Sequence, residues 1–181
     1  MNDRARSFFA VNFSLDVQDE ITRTLVSKIP SDGFGRTRVE NLHLTLFFLG
    51  NISKEQVEQL KEKTLSLTQT NPFEIELNGI GHFKNNIIWL GTGKGTPEIQ
   101  ALATNLGDAI GIKPADFHAH ITLARTKSAS PRSVRETVEK LRSEKYSKKI
   151  FVRGFDLMQS TLTHQGPRYK VLFSICFEEP R

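Results

Sequence analysis

The sequence predicts an α+β fold: two similar lobes of antiparallel-rich sheet, helices on the outside and a central cleft between the lobes. Three observations carry this. Apolar strand patterns and amphipathic helical patterns both recur along the 181 residues. Several strand patterns are adjacent in sequence, as antiparallel pairs are, which a doubly wound parallel sheet does not allow. One tetrapeptide, His-x-Thr-Leu, occurs twice, each time in a strand pattern followed by a helix. Length allows one domain or two small fused lobes, and residues 1–181 read as a single domain made of two.

Residues 7–13 (SFFAVNF) form the first apolar, aromatic strand pattern. Residues 15–29 follow helical spacing through Leu15, Val17, Ile21, Leu25 and Ile29, with Ser14 or Asp16 as cap and Pro30 and Gly33 as terminators. A short strand is expected at 37–40 and a clear one at 43–49 (HLTLFFL), closed by Gly50-Asn51. Ser53 with Gln56 three residues later is a capping box for a second helix, whose inner face carries Val57, Leu60, Thr64 and Leu67. Residues 73–77 alternate as Phe-Glu-Ile-Glu-Leu, an antiparallel strand with one wet face. A turn at Asn85-Asn86 precedes a strand at 87–91, and the Gly-rich loop 91–97 is expected to be flexible. Helices follow at 97–112 and 131–144, with strands at 118–125, 150–159 and 168–177.

Composition narrows the function classes. The charged fraction of 25% and apolar fraction of 38% fit a soluble globular chain. No stretch approaches a membrane span, and the N-terminus lacks the pattern of a signal peptide, so a cytoplasmic protein is expected. Cys176 is the single cysteine, which excludes internal disulfides and multi-cysteine zinc sites. The net charge of +5 mildly favours an anionic partner.

The repeat supplies the chemistry. His43-Leu44-Thr45-Leu46 returns as His120-Ile121-Thr122-Leu123. Alternate residues of a strand share a face, so each His projects with its Thr while the aliphatic residues face the other way. Two imidazoles around one point can divide the roles of general acid and general base near neutral pH. Threonine hydroxyls can hydrogen-bond the oxygens of a phosphate. The set suits cleavage of a phosphodiester without a metal. The pair His118-x-His120 has zinc-ligand spacing but no third ligand, so neither metal nor cofactor is expected. The loop 91–96 fails the spacing of a phosphate-binding P-loop, and Lys94 is left as a rim residue able to touch phosphates. His82 and His164 read as exposed turn residues and Cys176 as a small buried one.

With these motifs the chain resembles the LigT-like RNA 2′,3′-cyclic phosphodiesterases, or RNA 2′-5′ ligases, of the two-histidine phosphoesterases. The resemblance rests on Arg6 to Val11, Asn41 to Gly50, Trp89-Leu90-Gly91, Phe117 to Arg125, and the element from Ser160 through Gly166 to Tyr169. One departure is Ala119, where the family often has proline. The resemblance implies a cleft between two lobes and hydrolysis of 2′,3′-cyclic phosphate RNA ends to 2′-phosphomonoesters. It also implies joining of tRNA halves through a 2′-5′ linkage by the reverse reaction. It assigns His120 as general base and His43 as general acid, an order that a pseudo-symmetric motif cannot supply.

Thr45 and Thr122 are then expected to hold the non-bridging oxygens, and Arg125 to offset the phosphate charge. Phe47, on the face of His43 if the strand is regular, and Tyr169 are candidates to stack on the terminal base. Phe9 is expected to pack beneath the site. A monomer acting on RNA ends is the leading expectation. A phosphodiesterase for a small cyclic nucleotide such as ADP-ribose 1″,2″-cyclic phosphate, and a noncatalytic RNA-binding module, are the alternatives.

Overall fold

The structure, a computed structural model, describes residues 4–113, 116–164 and 166–178. Its first stretch runs β1 (Arg4–Asn12), α1 (Leu15–Thr24), β2 (Phe34–Arg36), β3 (His43–Ser53) and α2 (Lys54–Thr64). Next come β4 (Phe73–Phe83), β5 (Ile87–Thr92), α3 (Thr96–Ile110), β6 (His120–Thr126) and α4 (Pro131–Arg142). The chain ends with β7 (Ser147–Val152), β8 (Gly154–Thr163) and β9 (Gly166–Cys176).

The strands make one curled antiparallel sheet in the order β7-β4-β5-β6-β3-β1-β8-β9, with β2 beside β6. Read outward from its middle, the sheet is β3-β1-β8-β9 on one side and β6-β5-β4-β7 on the other. Chain order follows the same plan twice: β1-α1-β3-α2 in the first half and β5-α3-β6-α4 in the second. The halves meet where β3 lies against β6, joined at one registered pair, Leu44 with Ile121. The C-terminal hairpin β8–β9 then returns to complete the first half.

Alternation divides the two faces. Leu44, Leu46, Ile121 and Leu123 are buried in the main core with helix residues that include Ile21, Ile99, Leu106, Val134 and Leu141. The opposite face of the first half carries a small separate cluster, Phe8, Ala10 and Met158, with Tyr169 packed against it. This face is the floor of the cleft. Among the described residues no helix is long and apolar enough to cross a membrane.

Several local expectations hold. The capping box of α2 is present: Ser53 Oγ accepts from the Gln56 N–H (3.3 Å), and Gln56 Oε1 accepts from the Ser53 N–H (2.9 Å). Others change. The strand expected at 37–40 lies at Phe34–Arg36 instead, and Val39–Asn41 is a 3₁₀ turn. The first helix stops at Thr24 and passes into a 3₁₀ turn at Val26–Lys28. The single strand expected at 150–159 is broken at Arg153, and β8 begins at Gly154, where a Cβ would lie 2.2 Å from the Ile175 carbonyl oxygen.

The loop after β5 is anchored, not free: Glu76 and Lys94 or Gly93 exchange backbone bonds of 2.8 Å, and Gly95, with φ +85°, starts α3. His82 lies within β4 and accepts the Asn85 N–H, whereas His164 is in an exposed turn. Cys176 is exposed because its neighbours Ile175 and Phe177 take the inward positions.

Candidate active site

The two His-x-Thr segments open the two central strands, β3 and β6, side by side. In β3 the half-buried His43 and Thr45 alternate with the buried Leu44 and Leu46. In β6 His120 and Thr122 alternate with Ile121 and Leu123 in the same way. The structure therefore brings His43, Thr45, His120 and Thr122 together on the cleft face.

Both imidazoles are held by the same device. His43 Nδ1 lies 2.7 Å from the Asn41 carbonyl oxygen, and His120 Nδ1 lies 2.7 Å from the His118 carbonyl oxygen. A carbonyl only accepts, so each Nδ1 carries the hydrogen of the neutral ring and each Nε2 keeps its lone pair. Thr45 Oγ1 sits 3.0 Å from His43 Nε2.

The segments that carry these carbonyls are themselves held. Asn41 donates its side-chain amide to the Pro167 carbonyl of β9 (2.9 Å), and the buried Gln18 of α1 donates to the Leu42 carbonyl (3.0 Å). On the other side the His118 ring lies 4.7 Å from Trp89 and 5.2 Å from Phe83. His118 thus precedes β6, outside the strand expected at 118–125, while its ring lies 6.0 Å from that of His120 and both rings meet Phe83. It supplies a carbonyl and a packed ring, and among the described residues no group of three or more His, Cys, Asp or Glu is placed to hold a metal ion.

Burial pulls both histidines toward the neutral form. His43 is lowered to about 4, chiefly by desolvation, with the charges of His120 and Arg125 acting in the same direction and the Asn41 carbonyl opposing. His120 is lowered for the same leading reason, with His118 and Arg125 adding to it and the His118 carbonyl opposing. Each ring also rests against an aromatic. Phe8 lies 4.9 Å and Tyr169 5.2 Å from His43, and Phe83 lies 4.9 Å from His120. Tyr169, edge-on to both His43 and Phe8, forms the wall beside His43. Desolvation raises its phenol, while Arg125 and Arg6 pull it back down.

The two strands also break their register at the same place. Opposite β1, Ala10 pairs with Thr45 but Phe9 pairs with Phe47, so Leu46 is an extra residue. Opposite β5, Trp89 pairs with Thr122 but Ile88 pairs with Ala124, so Leu123 is the extra residue. Each is a β-bulge one position after the His-x-Thr, and a bulge reverses the facing of the residues that follow it, in β3 as far as a second such break at Leu49. Arg125 is thereby carried to the cleft face, where its charge reaches both histidines and Tyr169.

The same bulge overturns the expectation for Phe47. It pairs with the buried Phe9 and packs against the main core, and Phe48 takes the cleft face, 6.0 Å from Phe8. Phe9 likewise belongs to the core, edge-on to Phe155 and Phe173, so Phe8 is the ring beneath His43. Counting from His43 across the pair to Asn12, then back by twos, leads to Ala10 and Phe8, a signal present in the alternation. The bulges have no such signal, since no glycine marks them.

A curled antiparallel sheet carries two imidazoles, two hydroxyls and one guanidinium at its centre, a set chemically able to do acid/base work on an anion. Residues 17–163 match the 2′-5′ RNA ligase superfamily, and the chain belongs to that family. It is 34% identical to an RNA 2′,3′-cyclic phosphodiesterase of Archaeoglobus fulgidus, over 92% of this chain and 97% of the relative. It is 30% identical to one of Thermotoga maritima, over 96% of each. The fold matches Escherichia coli LigT complexed with phosphate (TM-score 0.78, 22% identity, 98% of this chain and 99% of that one). A protein of Thermus thermophilus has a TM-score of 0.76 at 26% identity, covering 97% of this chain and 100% of that one.

Proposed function

We propose that the chain is an RNA 2′,3′-cyclic phosphodiesterase that opens cyclic phosphate ends to 2′-phosphomonoesters. The observation that carries this is the matched tethering of His43 and His120. Each has Nδ1 on the carbonyl two residues earlier, and each turns Nε2 to the cleft from neighbouring strands. Residues 1–181 are read as one domain of two lobes, a cytoplasmic monomer, with its positive surplus serving RNA.

In this mechanism His120 Nε2 takes a proton from water as the oxygen attacks phosphorus. The bond from phosphorus to O3′ breaks, and His43 Nε2 delivers its proton to that oxygen. The phosphate stays on O2′. Burial keeps His120 neutral and ready to accept. The same burial leaves His43 neutral in the free site, so the anionic substrate, by favouring imidazolium beside it, loads the proton that His43 donates. Thr45 and Thr122 hold the non-bridging oxygens, Arg125 balances the charge that builds on them, and Tyr169 walls the pocket. With the 5′-hydroxyl of a second strand in place of water and the histidine roles unchanged, the bond from phosphorus to O3′ breaks as the bond to O5′ forms, which joins tRNA halves through a 2′-5′ linkage; cleavage of that linkage is the reverse path, with the roles exchanged.

The test is turnover of an oligonucleotide ending in a 2′,3′-cyclic phosphate. The product carries a 2′-phosphate, EDTA leaves the rate unchanged, and His43→Ala and His120→Ala each lower kcat by about 10²–10⁴-fold. Full activity in either variant would sink the mechanism. Turnover of ADP-ribose 1″,2″-cyclic phosphate with none of the oligonucleotide would replace the substrate.

A further inference from the structure

We infer that the first half of the cleft carries a second anion site, Arg6 flanked by Asn51 and Ser160, that takes the phosphodiester on the 5′ side of the terminal nucleotide. The inference rests on the phosphodiesterase reading above and makes the substrate a polynucleotide end in preference to a free cyclic nucleotide. The chemistry says which half must hold this site. Attacking and leaving oxygens lie in line on opposite sides of phosphorus. Water enters at His120 and O3′ leaves toward His43, so the ribose that carries O3′ lies over the first half. The same ribose bears the next phosphate of the chain on its O5′. A second anion site therefore belongs on the floor made by β3, β1, β8 and β9.

The register supplies one row across all four strands. Asn51 of β3 lies opposite Arg6 of β1, Arg6 opposite Ser160 of β8, and Ser160 opposite Tyr169 of β9. Residues directly opposite one another share a face of the sheet. Tyr169 shows which face this is, since its ring meets Phe8 and His43. Arg6 is the next cleft-facing residue of β1 beyond Phe8, about 7 Å further along the strand, and the Phe8 ring is 4.9 Å from His43. The Tyr169 phenol joins the two sites. Desolvation raises it most, but Arg125 and Arg6 both pull it down, so both guanidinium charges reach it. A positive field thus extends from the catalytic centre to the row.

Charge gives the floor a direction. At the end beside His43, Asn12 donates to Asp156 Oδ2 (2.6 Å), and Asp156 lies opposite Ala10 on the same face. An anionic chain is repelled there. At the other end stand Arg6 and, at the next cleft-facing position, Arg4 opposite Ser53. Among the described residues neither row carries a carboxylate. Arg6 is exposed, so its guanidinium is open to a ligand. Its planar fork matches two oxygens of a phosphodiester, and the Ser160 hydroxyl and Asn51 amide add donors on either side.

The experiment uses three substrates: a nucleoside 2′,3′-cyclic phosphate, a dinucleotide ending in the cyclic phosphate, and the same dinucleotide with an uncharged methylphosphonate linkage. The wild type favours the charged dinucleotide over the neutral one in kcat/KM by about three- to tenfold, through KM, as one charge-assisted contact at an exposed site supplies. That preference falls with salt, with a log–log slope of about −0.7 for one phosphate of a single strand. Arg6→Gln brings the ratio close to one, and Arg6→Lys keeps part of it. The ratio cancels any general loss of folding or turnover, so a role confined to stability would not move it. A wild type that turns over the nucleoside cyclic phosphate but treats the two dinucleotides alike overturns this inference alone, as does an unchanged ratio in Arg6→Gln. A wild type inert on all three substrates overturns the phosphodiesterase reading and this one with it.

Discussion

His43 meets two opposed demands, and they make its protonation legible in stability as well as in rate. Its folded value of about 4 lies below the ordinary 6.5 because the ring is largely removed from water near His120 and Arg125. Above pH 6.5 the ring is neutral folded and unfolded, and its effect on stability is nil. Between 6.5 and 4 the unfolded chain binds a proton that the folded chain refuses, so stability falls as the pH falls. By pH 4 the loss is nearly complete, at roughly 3 kcal/mol for this residue. His120 is lowered too and adds in the same direction. Thermal melts of His43→Gln are therefore expected to fall less steeply from pH 6.5 to 4 than those of wild type. Parallel curves for the two proteins would show that the buried neutral imidazole is not the source.

At the scale of elements, the sheet explains what the sequence disclosed and what it withheld. The His-x-Thr strands were legible because period-two alternation is a direct consequence of strand geometry. The capping box of α2 was legible because its two hydrogen bonds need only Ser53 and Gln56 at the right spacing. Arg125 was legible as a nearby charge, although its route to the cleft face was not. The bulges at Leu46 and Leu123 use ordinary aliphatic residues, so Phe47 looked like the cleft residue when Phe48 is. The carbonyl tethers were hidden for a different reason: every residue has a carbonyl, and only the fold says which one meets a ring nitrogen.

Gly81 shows how tightly the second half is set. A Cβ there would lie 2.3 Å from Trp89 Cζ2, and the indole has no room to swing because Phe83 and His118 flank it. Gly81→Ala is expected to cost about 1–3 kcal/mol by overpacking, a fall of roughly 2–10 °C in melting temperature. It should also slow turnover by shifting the residue whose carbonyl holds His120. A variant that melts like wild type would show the indole to be mobile.

At the scale of the molecule, the question is how two halves joined at one registered pair hold two imidazoles in a fixed relation. Leu44 and Ile121 are each fully buried, and the one core they share continues from Phe9 and Val11 in the first half to Ile75 and Ile88 in the second. Neither half can withdraw its strand without opening that core, so the site should loosen only when the whole fold does. Leu44→Ala and Ile121→Ala each remove a side chain from the same seam, and each is expected to cost about 2–5 kcal/mol. Because the two face one another across the junction, the double variant should depart from additivity by about 0.5–3 kcal/mol. Denaturant unfolding of the four proteins measures this, with far-ultraviolet circular dichroism and Trp89 fluorescence as two probes. Coincident transitions with a clear coupling energy mean that the seam is one cooperative unit. Strict additivity, or a Trp89 transition that precedes the other, would mean that the halves unfold apart and that the geometry of the histidine pair is maintained by something other than the shared core.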